Sequence, residues 1–179
     1  MSRPEPSIPI SPEAFLAGEQ TSEIKHEYVA GHVYAMAGSS TAHNRIALNQ
    51  HLRGGPCRVF MSDVKLYIRP AEVFYYPDVV VTCDPEDMGG AALYISHPKL
   101  LVEVLSPSTE RLDREEKRMR YLALASLEEY LLVGQQPQRV QIYRRDTQGW
   151  GMETWTEGET VSLRSVRLDL PMSVLYADL

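Results

Sequence analysis

The chain is 179 residues long and 44% hydrophobic, enough for one α/β domain with its own core. Its formal net charge of −6 and sequence pI near 5.4 argue against a protein that coats nucleic acid through a broadly basic surface. The opening residues lack the apolar stretch of a signal peptide, and no apolar run approaches the roughly 20 residues that span a bilayer, so a soluble cytoplasmic protein is expected.

Residues 1–10 carry Pro4, Pro6 and Pro9 and read as a flexible, extended lead-in, with 11–179 forming a single domain. Ser11-Pro12-Glu13 opens a short helix, Ser at the cap and Pro at the first helical position. A hairpin follows, Tyr28-Val29 and His32–Met36 around Gly31. A second helix is expected over 41–53, ended by Gly54-Gly55-Pro56. Cys57–Met61 and Val64–Ile68 read as strands. The runs 77–83 and 99–105 have the Val/Leu richness of strands buried on both faces. The longest helical stretch spans about 110–126, acids first and bases after, with Leu112, Met119, Leu122 and Ala123 as its core face. Tyr130–Val133, Arg139–Tyr143, Trp150–Trp155, Val161–Leu163 and Val166–Leu170 complete a strand series, and Pro171 starts a short terminal helix. Cys57 and Cys83 have no CxxC spacing and no zinc-type His partners, which reads as two free thiols in a reducing compartment.

Two acids stand out against this background. Asp78 lies at the mouth of the run Tyr76-Pro-Asp-Val-Val-Val-Thr82, and Glu103 is the one charged residue from Leu100 to Ser106. A carboxylate so placed loses several kcal/mol of hydration unless something positive compensates it. Two acids on neighbouring strands can share one divalent cation, and their hard oxygens suit Mg²⁺ or Mn²⁺.

The string Glu103-Val-Leu-Ser-Pro-Ser-Thr109, with Asp113-x-x-x-Lys117-x-x-x-Tyr121 after it, resembles the Uma-two family, restriction-endonuclease-type proteins of the PD-(D/E)xK nuclease superfamily. Agreement extends from Glu27-Tyr-Val-Ala-Gly31, through Met36-Ala-Gly38, Ala42-His-Asn-Arg45, Cys57-Arg-Val-Phe60 and Tyr76-Pro-Asp, to Glu129-Tyr-Leu-Leu-Val133. The resemblance implies an α/β fold, a restriction-endonuclease-like mixed central sheet flanked by helices, here with an added C-terminal β-hairpin region. It also implies a Mg²⁺- or Mn²⁺-dependent endonuclease acting on DNA, and an edge-strand or helix-mediated homodimer would suit a two-strand cutter. Asp78 and Glu103 match the metal-binding motif acids, and Glu27 matches an upstream acid that assists them.

The superfamily lysine two residues after the second acid is absent, since Leu105 stands there; Lys117 on the following helix is the matching replacement. Residue by residue, other readings stay open. Asp113 and Lys117 at i,i+4 also describe an ordinary surface ion pair, and Glu27 a solvated strand-end charge. Lys99, on the Glu103 face by strand parity, and Lys65 are rivals to Lys117. His43 could approach the site, Asp63 pairs with Lys65 by parity, and Ser106 and Ser108 read as turn and cap residues. The alternative to an enzyme is a catalytically silent nucleic-acid-binding or dimerisation module that keeps the nuclease fold.

Overall fold

The computed structural model describes residues 9–36, 51–89 and 93–177. The predicted helix at 41–53 and His43 fall almost wholly outside them, as do residues 1–8 of the lead-in.

In chain order, α1 (Pro12–Glu19) is capped by Ser11, whose Oγ accepts the Ala14 amide at 3.2 Å. The hairpin of β1 (His26–Val29) and β2 (His32–Ala35) turns through Ala30 and Gly31, both at positive φ. Gly31 is required there twice over: its φ is +93°, and a Cβ would lie 2.6 Å from Pro9 Cβ. Then come β3 (Arg58–Met61), β4 (Lys65–Ile68), β5 (Val73–Tyr75) and β6 (Val79–Thr82), a 3₁₀ turn at Pro85–Met88, β7 (Tyr94–Ile95) and β8 (Pro98–Val104). Helix α2, residues 110–122, contains one π-helical turn, Asp113–Lys117, between two α-helical pieces. Strands β9 (Glu129–Gly134), β10 (Arg139–Asp146), β11 (Gly149–Thr156), β12 (Thr160–Leu163) and β13 (Leu168–Pro171) lead to α3 (Met172–Leu175).

A mixed six-stranded sheet, ordered β11-β10-β9-β8-β6-β3, carries the architecture. Only β8 and β9 are parallel within it, and α2 supplies the crossover that a parallel pair needs. Strand β8 is paired on both edges and covered on both faces, which is why its sequence shows no polar alternation. Leu100, Val102 and Val104 enter one core with Val79, Val81, Leu131, Ile142 and the C-terminal Leu170, Met172 and Leu175. Leu101 and Leu105 enter the other, with Val80, Tyr121, Tyr130 and Leu132. That second core is closed by Leu66, Ile68, Val73 and Tyr75 from a five-stranded sheet, ordered β2-β1-β5-β4-β7. The opposite face of this smaller sheet packs Tyr28 and Phe74 on Phe15 of α1, with ring centroids 5.2 and 5.3 Å from it.

The architecture is the mixed α/β arrangement expected, with the hairpin β10–β11 extending the sheet. Three local expectations are corrected. Cys57 and Cys83 are joined in a disulfide, not free. The Arg58↔Thr82 register of β3 and β6, carried one residue further, sets the two cysteines opposite each other, a proximity that 26 residues of separation hides in the sequence. Second, the inward face of α2 is not the one expected: Met119 is 66% exposed and Ala123 is exposed, Leu112 and Leu122 are half-buried, and Asp113, Lys117 and Tyr121 are the buried residues. Third, β5 was not anticipated; its three-residue run was too short to show a period.

Candidate active site

Strands β6 and β8 run antiparallel with Val79 opposite Val102 and Val80 opposite Leu101. One step further along that register, Asp78 falls opposite Glu103. Directly opposed residues share a sheet face, and this is the face of Val80 and Leu101, toward α2. Asp78 is held in place by the Val104 amide, which donates to Oδ2 at 2.7 Å. Glu27 reaches the same region from the smaller sheet: its neighbour Tyr28 packs outward on Phe15, so alternation turns Glu27 inward.

Helix α2 supplies the cation. In the π turn the Arg118 amide bonds to Asp113 O, five residues back, and Asp113, Lys117 and Tyr121 all project into the domain. Lys117 Nζ lies 3.2 Å from Glu27 Oε1, 3.2 Å from Glu103 Oε1 and 3.1 Å from Asp113 Oδ1. The last is an ion-pair distance without hydrogen-bond alignment, since Asp113 Oδ1 accepts no hydrogen bond. Tyr121 OH donates to Glu103 Oε1 at 2.9 Å, and Tyr130 OH donates to Asp113 O at 3.1 Å, fixing the start of the π turn.

The electrostatics follow from one ammonium among four acids in a dry place. Burial pushes the Glu103 carboxyl up to about 8; Lys117 opposes this, and the charges of Asp113 and Asp78 add to it. Burial also raises Glu27, again against the pull of Lys117. For Lys117 itself burial disfavours the charge, but Glu103, Glu27 and Asp113 outweigh it and hold the ammonium well above its ordinary value.

The donor set fits a hard divalent cation. Among the described residues, both hydrogen bonds that Glu103 accepts fall on Oε1, and carboxylates outnumber the ammonium in a site with little water to screen it. Asp78 and Glu103 would hold such an ion as carboxylate ligands. Lys117 Nζ stands between Glu27 and Glu103, 3.2 Å from one oxygen of each.

The structure thus gathers Glu27, Asp78, Glu103 and Lys117 into one region and adds Asp113 and Tyr121, which sequence reasoning had assigned to an ion pair and a helix face. Their i, i+4, i+8 spacing was the available signal. The rivals lie elsewhere: Lys99 Nζ pairs with Glu128 at 2.7 Å, and Lys65 Nζ sits 5.5 Å from the centre of the Tyr76 ring. Asp63 pairs with Lys25, not Lys65. Ser106 and Ser108 bond to one another ahead of α2, as turn residues do.

A fold of this kind is a nuclease fold. It matches the crystal structure of "a putative nuclease belonging to DUF820" from Anabaena variabilis ATCC 29413 with a TM-score of 0.75 over 94% of this chain and 98% of that one, at 20% identity. Residues 12–174 match the Uma2 (Uma-two) family, described as "Putative restriction endonuclease", and the chain belongs to that family. Two relatives in Synechocystis sp. (strain PCC 6803) carry the names uncharacterized protein slr1290 and uncharacterized protein sll1609. The first is 37% identical over 97% of this chain and 96% of its own length. The second is 31% identical over 73% of this chain and 78% of its own. No described helix is long and apolar enough to cross a membrane.

Proposed function

We propose that the protein is a Mg²⁺- or Mn²⁺-dependent endonuclease that hydrolyses DNA phosphodiester bonds, working as a homodimer. The observation that carries this reading is the Lys117 ammonium buried against Glu27, Glu103 and Asp113, with Asp78 opposite Glu103 on the adjacent strand. Asp78 and Glu103 hold the ion, and Glu27 assists directly or through a water. When bound, the cation supplies charge stabilisation at the scissile phosphate and acidifies a water. Lys117 keeps its charge at neutral pH, donates to the attacking water and offsets phosphate charge. Asp113 and Tyr121 keep Lys117 and Glu103 in place.

Two observations favour a catalytically silent nucleic-acid-binding or dimerisation module instead: Leu105 stands where the superfamily lysine belongs, and Lys117 is already engaged by three carboxylates. Calorimetric titration of Mn²⁺ into wild type and Asp78→Ala, with plasmid nicking measured in parallel, separates the two. The nuclease reading expects site-specific Mn²⁺ uptake and nicking by wild type, both lost in Asp78→Ala. No uptake by wild type would leave only the scaffold.

A further inference from the structure

A different cluster sits at the opposite end of β6 from Asp78, six residues along and so about 20 Å away. Asp84, Glu86 and His97 each bring one ligand atom to within 4.8 Å of the others. Nothing in the nuclease reading uses them.

Their convergence is built by a neighbour that is not among them. Asp87 is 5% exposed. Its Oδ1 accepts the Ser96 amide at 2.8 Å, and its Oδ2 accepts the His97 amide at 2.8 Å and Thr82 Oγ1 at 3.0 Å. Thr82 Oγ1 also lies 2.9 Å from His97 O and accepts the Asp84 amide at 3.1 Å. Residues 82–87 and the backbone of His97 are thereby fastened to each other, and the Cys57–Cys83 bridge anchors the chain immediately before Asp84. The imidazole is treated differently. The His97 side chain is 40% exposed, and its Nδ1 stands 3.6 Å from Asp87 Oδ1, an ion-pair distance without a hydrogen bond. A histidine whose backbone is held by hydrogen bonds and whose half-exposed ring faces three acids is placed as a ligand would be. A cavity of about 400 Å³, lined by Glu86, Asp87 and His97 together with Arg69, Tyr94 and Ser96, gives access from solvent.

We propose that Asp84, Glu86 and His97 form a second divalent-metal site, for ions of the zinc type. The donor set decides the class of ion. Two carboxylates alone would suit Mg²⁺ or Ca²⁺, whereas an imidazole in the set selects a borderline transition metal. Three protein ligands beside an open cavity leave remaining positions to water. Because these residues lie apart from Asp78 and Glu103, the site stands or falls independently of nuclease activity.

The test uses untagged, chelator-treated full-length protein carrying Glu103→Gln, so that the nuclease site is weakened, titrated calorimetrically with Zn²⁺ alone. One equivalent of Zn²⁺ should bind, and a tenfold excess of Mg²⁺ should not displace it. Adding His97→Ala should weaken binding by about tenfold or more. Glu86→Gln, at an exposed side chain, should weaken it as well while leaving the imidazole untouched. Failure of the parent to take up Zn²⁺, or an affinity in either variant equal to the parent's, overturns the site.

Discussion

Two buried ion clusters in this molecule look alike in a list of salt bridges and differ once each oxygen is followed. Glu129 is fully enclosed. Its Oε1 accepts Arg144 Nε at 2.7 Å and the Arg164 amide at 3.1 Å, and its Oε2 accepts the amide and hydroxyl of Ser165 at 3.0 and 2.5 Å. Arg144 in turn donates to Ser162 O at 2.7 Å, so the cluster clamps β12 and the turn after it to the six-stranded sheet. Among the described residues, Glu103 meets its donors on one oxygen, and Lys117 serves three acids at once. A carboxylate whose oxygens are all bonded holds a fold together; one bonded through a single oxygen among surplus negative charge is kept for a ligand.

The largest expected effect separates the clusters by activity. Glu103→Gln should lower plasmid nicking by at least about 100-fold, while the metal-free melting temperature stays level or rises, because the variant no longer has to take up a proton on folding. Unchanged nicking by a clean preparation would end the catalytic assignment.

Next come the cations. Arg144→Ala and Lys117→Ala should each cost about 3–5 kcal/mol in urea unfolding, since each strands buried acids. Saturating Mn²⁺ should restore part of the loss only for Lys117→Ala, where a divalent ion can take over the ammonium's charge; nicking should still fall. Equal rescue of both variants would erase the distinction.

A smaller effect is expected from pH. The folded protein holds the Glu103 proton up to about pH 8, whereas the unfolded chain releases it near the ordinary 4.5. Metal-free stability should therefore be highest at or below about pH 4.5 as far as this group is concerned, and fall on the order of a few kcal/mol as pH rises toward 8. Glu103→Gln should flatten that slope, and a wild-type curve equal to the variant's would refute the buried-proton account. Smallest is Tyr121→Phe, expected to cost about 1–2 kcal/mol by thermal melting through loss of one hydrogen bond to a buried carboxylate. A change within error would mean the hydroxyl contributes nothing to seating Glu103.

The central strands and their acids were legible because burial on both faces leaves an unmistakable apolar run, and a charge inside such a run has few innocent explanations. Helix α2 was misread for a related reason. Periodicity finds apolar faces, and here the inward face is Asp113, Lys117 and Tyr121, with Met119 turned to solvent. Charge burial is decided by what lies across the gap, in this case Glu27 and Glu103; the i, i+4, i+8 spacing puts Asp113, Lys117 and Tyr121 on one face but does not tell which way that face turns. The disulfide was invisible on the same grounds, since it depends on a strand register set by residues between the cysteines. The zinc-type cluster joins residues 84, 86 and 97 across an intervening strand and loop, a separation from which no known ligand spacing could be recognised.

The wide turn at Asp113–Lys117 has one further consequence. A turn of this kind accommodates one residue more than ordinary helical winding, so it behaves as an insertion the domain has absorbed. Deleting exposed Glu115 would return the segment to regular winding, and because four residues of the wide turn sweep nearly the same angle as three of an α turn, Asp113 would stay on the face of Lys117 and Tyr121. The wide turn is thus a place where the chain can lose one residue while the ammonium keeps its acids, so the length of α2 is less tightly constrained than the identities of the residues on its inward face.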